Sequence, residues 1–143
     1  MRATVIHGTR DIRLEDAPRP TLAGTGRDAI VRVVAACICG SDLWPYRGVA
    51  ETAEPKRIGH EFVGIVEEVG DGVTGVAPGD FVIAPFYDCD MTCAHCQNGV
   101  SPSCQNSNWW GRDDRDGHFA DGAQGEFVRV PTADGSLTVV PGP

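Results

Sequence analysis

With 143 residues, the chain has the length of one domain and can bury a hydrophobic core. Its 18 glycines and 10 prolines favour a turn-rich β architecture over a helical one. The formal net charge of −8 argues against nucleic acid or an anionic membrane surface as a partner.

Neither a membrane-spanning segment nor an export signal is predicted. No apolar run approaches the roughly 18 residues that a spanning helix needs. The N-terminus lacks a basic region followed by an apolar stretch, so a cytoplasmic location is expected.

Short strands separated by turns rich in Gly and Pro dominate the predicted secondary structure. In chain order, strands are predicted over residues 3–6, 12–15, 29–36, 61–69, 81–84, 126–130 and 137–140. After the third strand, Ser41 or Asp42 is suited to cap a short helical turn that runs to Tyr46. Residues 47–57 and 106–121 are expected to be loops, the second of them exposed. Several short strands with little helix indicate a small closed or half-open β-barrel.

The cysteines are unevenly distributed. They are Cys37, Cys39, Cys89, Cys93, Cys96 and Cys104. Four of them fall between positions 89 and 104, and in a chain without an export signal such clustering indicates metal binding. Disulfide bonds are the alternative interpretation. Cys37 is interpreted as a small buried apolar residue with no ligand role.

Two short motifs place metal-binding residue types beside predicted strands. Cys39 follows the strand predicted over 29–36 and precedes Ser41 and Asp42, whereas His60 and Glu61 stand at the start of a later strand. A thiolate and an imidazole together suit zinc, and a catalytic zinc site uses about three protein ligands. Taken singly, the cysteine and the histidine would be interpreted as core residues. The two complete motifs, in this order, favour a shared metal site.

The second motif is part of a longer spaced pattern that resembles the zinc signature of medium-chain zinc-dependent alcohol dehydrogenases. Its defining positions are filled by Gly59, His60, Glu61, Gly64, Gly70 and Val73. The resemblance covers nearly the whole chain. It implies that residues 1–143 form the N-terminal GroES-like catalytic domain, a mainly β, partly open barrel with short helices and a zinc-binding lobe at about 88–104.

The resemblance also implies a role for each residue of the two motifs. Cys39 and His60 would bind the catalytic zinc, and Glu61 would lie beside the metal as an alternate ligand. Asp42 would orient the imidazole of His60, and Ser41 would take the proton from the alcohol. The implied reaction is hydride transfer between a small alcohol or aldehyde, polarised by zinc, and NAD or NADP.

The sequence departs from the family's pattern in two respects. Trp44 stands where many relatives place a histidine that completes the proton path. The relatives' third zinc ligand lies beyond the equivalent of Pro143, and no glycine fingerprint of a nucleotide-binding domain is present. The chain is therefore expected to be one half of a two-domain enzyme, homo-oligomeric when complete, and to be inactive toward alcohols on its own.

The clustered cysteines resemble the structural zinc lobe of the same family. Cys93, Cys96 and Cys104 match three of its ligands, and the spacing places the fourth ligand at Asp90. An aspartate oxygen can complete a closed tetrahedral site. Cys89 is the competing ligand, which a shift of the loop by one residue would bring into place.

Four aromatic residues are candidates for the apolar wall of a substrate pocket. They are Trp44, Tyr46, Trp109 and Trp110, of which Trp44 and Trp110 are expected to contact substrate. Packing of the lobe is an equally good interpretation of the Trp109–Trp110 pair.

Two other functions are consistent with parts of the sequence. A non-catalytic, zinc-stapled binding or assembly module would share its barrel with the co-chaperonins and would form a ring. A zinc-free quinone reductase of the same superfamily is disfavoured because both zinc motifs are present.

Overall fold

The computed structural model describes residues 1–141 and has the predicted mainly β character. The strands are β1 (Arg2–Gly8), β2 (Asp11–Asp16), β3 (Ala29–Ala36), β4 (Lys56–Arg57), β5 (Phe62–Val69), β6 (Phe81–Ala84), β7 (Arg112–Asp113), β8 (Phe119–Ala120), β9 (Phe127–Val130) and β10 (Thr138–Val139). The helices are α1 (Leu43–Tyr46), α2 (Ala94–Gln97) and α3 (Ala133–Ser136), with 3₁₀ turns at Gly40–Asp42 and Ser101–Ser103. Positions 142 and 143 of the predicted domain lie outside the described residues.

The strands form open antiparallel sheets, in agreement with the predicted partly open barrel. The larger sheet has the order β10-β6-β5-β3-β9, and the smaller ones have the orders β2-β1-β4 and β7-β8. Within the described part of the chain, every helix is too short to cross a membrane.

The core lies on one face of the five-stranded sheet. Strand β5 buries alternate side chains, including Phe62 and Val66, and Val31 of β3 packs against them. Val82 and Val128 complete this layer from β6 and β9. Period-two alternation is expected for a sheet with one buried face.

Two predicted loops contain short strands. Residues 47–57 include β4, which pairs with β1, and residues 106–121 include the β7–β8 hairpin. The second loop is also less exposed than expected, because Asp114 is buried against Arg129, whose Nη2 lies 2.9 Å from the carboxylate. A strand of two residues is too short to show a period. Pairing with β1 defines β4, and pairing within a hairpin defines β7 and β8.

The β3–β5 ladder brings the two motifs to one edge of the sheet. Ala36 at the end of β3 pairs with Phe62 at the start of β5. One residue farther along, the amide of Cys37 donates to the carbonyl of Glu61 at 3.0 Å. Residues that follow β3 and residues that precede β5 must therefore lie side by side.

We expect Gly64→Ala to lower the free energy of unfolding by about 2–3 kcal/mol, since overpacking a core forces backbone shifts. A Cβ at this position would lie less than 3.0 Å from the Arg32 carbonyl oxygen and from Val31 Cγ1. Gly40→Ala is the matched control, because its Cβ would have no neighbour within 4 Å. Urea unfolding curves compare the two variants. An equal stability change in both would contradict this packing role of Gly64.

Candidate metal centres and cleft

Three side chains meet at the edge of the sheet where β3 ends and β5 begins. Cys39, His60 and Glu61 each offer one ligand atom, and these atoms lie within 4.8 Å of one another. All three residues are half-buried. A sulfur, an imidazole nitrogen and a carboxylate oxygen at such distances form a donor set that fits zinc.

The imidazole of His60 is held from both ring nitrogens. Its Nδ1 lies 3.3 Å from Asp42 Oδ1, and its Nε2 lies 3.3 Å from Ser41 Oγ. A carboxylate beside Nδ1 favours the tautomer with the proton on that nitrogen. Nε2 then presents its lone pair toward the side of the ring where Ser41 lies.

Asp42 is buried, and its second oxygen binds the loop that carries Cys39. Asp42 Oδ2 accepts a hydrogen bond from the Cys39 amide at 2.9 Å and lies 3.4 Å from Gln124 Nε2. Gln124 also donates to the carbonyl of Cys37 at 3.1 Å. One carboxylate therefore orients the imidazole and fixes the backbone of the cysteine loop.

Gln124 is a site residue that the sequence did not predict. It is separated from Asp42 by 82 positions, and no spacing rule connects the two. In the structure Gln124 also packs against Gly59, which has φ +95° and where a Cβ would collide with the Gln124 side chain. The interpretation of Cys37 as buried was wrong, because this thiol is exposed just after β3, in a stretch where residues 34–38 are all exposed.

The clustered cysteines form the second candidate metal centre. Asp90, Cys93, Cys96 and Cys104 offer ligand atoms that all lie within 4.8 Å of one another. Cys93 Sγ lies 3.4 Å from Cys96 Sγ and 4.0 Å from Cys104 Sγ. The amide of Gln105 also donates to Cys93 Sγ at 3.4 Å. Three thiols and a carboxylate at these distances fit a closed tetrahedral site.

Asp90 and Cys89 occupy different positions in this lobe. Among the described residues, the four lobe residues whose ligand atoms all lie within 4.8 Å of one another include Asp90 and not Cys89. Cys89 is fully buried beside the set, with its Sγ 3.4 Å from Cys96 Sγ. Burial opposes ionisation of Asp90, but hydrogen bonds from Thr92 and Asn106 outweigh it and lower the pKa of the carboxyl.

The thiols of the lobe do not ionise alike. Burial raises the pKa of Cys96 and of Cys104 to about 11. Amide donors from Cys96 and Gln105 lower the pKa of Cys93 to about 6. At neutral pH, Cys93 is the thiolate that a metal ion would meet first.

We expect zinc binding to the lobe to release about two protons near pH 8 and about three below pH 6. Cys96 and Cys104 keep their protons up to a pKa of about 11, whereas Cys93 holds one only below about 6. The apparent zinc affinity should therefore rise with pH, more steeply in acid. Calorimetry in buffers of different ionisation enthalpy counts the protons, with His60→Ala used to restrict binding to the lobe. Cys93→Ser should remove the change near pH 6, and a constant count from pH 5 to 8 would contradict the assignment.

A cleft of 320 Å³ opens beside His60 and Ser41. Its walls include Trp44, Trp109 and Trp110, so three of the four predicted aromatic residues lie there. Trp44 is 59% exposed, and it extends from the short helix that follows the cysteine loop. Tyr46, also predicted as a wall residue, is not among the described residues that line the cleft.

The two adjacent tryptophans have different surroundings. Trp110 is half-buried and packs edge-on against Phe62, with ring centroids 5.5 Å apart. Trp109 is 53% exposed and packs against Phe86 at 5.4 Å. Each ring therefore lines the cleft and packs against an aromatic residue outside the lobe predicted at about 88–104. Contact with substrate stays a prediction.

Comparisons with known proteins identify the family. Residues 25–142 match the alcohol dehydrogenase GroES-like domain. The chain is 38% identical over 141 residues to zinc-type alcohol dehydrogenase B of Aspergillus flavus, covering 99% of this chain and 32% of the relative. The alcohol dehydrogenase TADH from Thermus sp. ATN1 has a similar structure, with a TM-score of 0.87 and 36% identity over 99% of this chain and 40% of that one.

A third comparison involves a cofactor. A short chain alcohol dehydrogenase from E. coli CFT073, solved with NADH, has a TM-score of 0.72 and 30% identity over 99% of this chain and 38% of that one. Across these three relatives, the chain spans between 32% and 40% of their length. The predicted resemblance is confirmed, and the chain belongs to the alcohol dehydrogenase GroES-like domain family.

Proposed function

We propose that this chain is the zinc-binding catalytic domain of an NAD(P)-dependent alcohol dehydrogenase. One observation carries the proposal: Cys39, His60 and Glu61 converge at the edge of a cleft, with all their ligand atoms within 4.8 Å. The named activities of the relatives support it. The domain extends over residues 1–143, and the complete enzyme is homo-oligomeric with NAD or NADP as hydride acceptor.

The catalytic zinc would be held by Cys39 and His60, with Glu61 as a third or alternate ligand. When bound, zinc supplies Lewis acidity that favours ionisation of an alcohol and polarises an aldehyde. The thiolate and the imidazole come from two different strand ends that the ladder joins. The ligands are thus ordered before any metal arrives.

Asp42 and Ser41 determine where protons are held and transferred in the cleft. Asp42 accepts a hydrogen bond from the Nδ1–H of His60 and so keeps the Nε2 lone pair directed at the metal position. Ser41 has its hydroxyl 3.3 Å from Nε2 and lines the cleft, where it can accept a proton from the substrate hydroxyl. Trp44 occupies the relatives' histidine position, so the proton leaves Ser41 for solvent without an imidazole relay.

The cysteine lobe would hold a second, structural zinc through Asp90, Cys93, Cys96 and Cys104. The geometry favours Asp90 over Cys89 as the fourth ligand, because a carboxylate oxygen of Asp90 lies within 4.8 Å of the sulfur atoms of the other three ligands. A closed four-ligand site leaves no position for substrate. Its contribution is to order a part of the chain that has little apolar core.

The substrate is a small alcohol or aldehyde bound between the tryptophans of the cleft. Trp44 and Trp110 provide apolar and aromatic surface on the walls. The indole Nε1 of Trp110 is buried and has no hydrogen-bond partner among residues 1–141, so the contribution of Trp110 to the cleft is its ring surface.

Metal analysis of the protein, purified without chelators, tests the proposal. Two zinc ions per chain are expected, one for each candidate centre. Freshly purified protein that contains no metal, and that takes none up from a zinc buffer, would end the proposal.

A further inference from the structure

The carboxylate of Asp90 divides its contacts between the cysteine lobe and a separate segment of the chain. Its Oδ1 lies 3.3 Å from Cys104 Sγ and 3.9 Å from Cys96 Sγ. Its Oδ2 accepts hydrogen bonds from Asn106 Nδ2 at 2.6 Å and Arg115 Nη1 at 3.1 Å, and also from Thr92 Oγ1 of the lobe at 2.5 Å. The side chain is only 2% exposed, so both sets of contacts are shielded from water.

Two of the three residues that donate to Oδ2 lie on either side of two tryptophans of the cleft in the sequence. Asn106 and Arg115 are the ends of a stretch, residues 106–115, that we call the tryptophan segment. Trp109 and Trp110 lie between these ends and line the cleft. Both ends of the segment are thus tied to one oxygen atom, whose partner oxygen faces the thiols.

We propose that Asp90 couples metal binding in the lobe to the position of the tryptophan segment, and so shapes the wall of the substrate cleft. The inference rests on the proposed function, because it takes the lobe to bind zinc. With Oδ1 held at a metal ion, Oδ2 has one position, at which Asn106 and Arg115 can both donate. Thr92 also holds both oxygens, because its amide donates to Oδ1 at 2.9 Å and its hydroxyl donates to Oδ2 at 2.5 Å. The metal would add a second restraint, and its loss would weaken the common anchor of the segment.

A cysteine at position 90 could bind the metal but could not also anchor the tryptophan segment, and the chemistry of a carboxylate explains the difference. A thiolate has a single ligand atom, whereas a carboxylate can bind a metal through one oxygen and accept several hydrogen bonds at the other. The guanidinium of Arg115 also offsets the negative charge that Asp90 brings to a site with three thiolates. Asp90 and Arg115 are positioning residues in this scheme, since neither touches the substrate.

Two variants separate the hydrogen bonds at Asp90 Oδ2 from zinc binding in the lobe. Asp90→Cys supplies a fourth thiol for zinc but removes the second oxygen. The double variant Asn106→Ala/Arg115→Met keeps every proposed ligand and removes both donors. Both are made in a Trp44→Phe background, so that tryptophan emission comes only from the two residues of the tryptophan segment.

Both variants are expected to keep the zinc content of the parent. Acrylamide quenching of tryptophan emission should increase about twofold, and amide exchange over residues 106–115 should be about tenfold faster. Exchange over residues 29–36, in the core strand, should not change. Arg115→Lys, which retains a charged donor, should restore most of the parental quenching.

A second arm tests the contribution of the metal itself. In the His60→Ala variant, which leaves the lobe as the zinc site, chelation should speed exchange of the tryptophan segment about tenfold. The same chelation should have a smaller effect once Asn106 and Arg115 are also replaced.

The outcomes separate this inference from the proposed function. A parent protein whose lobe binds no zinc overturns both. Full zinc content with parental quenching and exchange in the double variant overturns the coupling alone. If Asp90→Cys does not fold, the double variant decides, because it leaves the lobe's ligands in place.

Discussion

Replacing Cys96 by serine is expected to weaken zinc binding in the lobe by about 10²–10³-fold. A structural zinc site contributes about 10–16 kcal/mol in small zinc-binding peptides, so one of four ligands represents about 2.5–4 kcal/mol. Cys96 is central to the cluster, since its Sγ lies 3.4 Å from both Cys93 Sγ and Cys89 Sγ. The apolar contacts of the lobe are also mostly cysteine: its buried cluster is Cys89, Cys96 and Cys104.

The measurement is competition for zinc with a chromophoric chelator, together with proteolysis of the lobe. The variant should lose one zinc ion per chain and become sensitive to cleavage between residues 88 and 104. Cys37→Ser is the matched control, because Cys37 is an exposed thiol outside both centres. Parental affinity in Cys96→Ser, or an equal loss in the control, would contradict the assignment of the lobe.

Replacing His60 by alanine is expected to remove the other zinc ion while leaving the fold intact. In the complete enzyme, the rate of alcohol oxidation should fall by about 10³-fold or more, because Lewis-acid stabilisation contributes several kcal/mol. The side chain of His60 contacts Asp42 and Ser41 rather than the apolar core, so little stability depends on it.

Zinc content and thermal unfolding of the variant give the two readouts. Zinc should fall from two ions to one per chain, with a melting temperature close to that of the parent. His118→Ala is the control, since His118 is exposed and lies outside both candidate centres. Retention of two zinc ions after loss of His60 would show that the imidazole is not a ligand.

The strands that the sequence predicted are those with a clear apolar pattern, among them the two-residue β10, which lies within the predicted strand over 137–140. Ala29–Ala36 and Phe81–Ala84 agree with the prediction at both ends. The two-residue strands β4, β7 and β8 were missed, because pairing creates them, with distant β1 for β4 and within one hairpin for β7 and β8, and not local composition. Helix α3 was missed for a related reason, since its Ala-Asp-Gly-Ser sequence has poor helix propensity.

The same distinction applies to the candidate site. Residues within each motif are neighbours in sequence, but Cys39 and His60 belong to different motifs. The resemblance to the alcohol dehydrogenase signature, and not spacing, implied that these two would lie close to each other. Gln124 and Arg115 reach the two centres across 82 and 25 positions respectively. No short pattern encodes such contacts, and only the folded backbone reveals them.

The backbone ladder between Ala36 and Phe62 has a consequence for how the two centres would exchange their ions. At the edge of the sheet, the donor atoms are arranged by hydrogen bonds of the folded core, so zinc could enter and leave without any rearrangement of the chain. The cysteine lobe has no such independent scaffold, and its ion would be part of its folding. The first centre should therefore equilibrate rapidly with zinc in solution, whereas the second should exchange only as often as its loop opens.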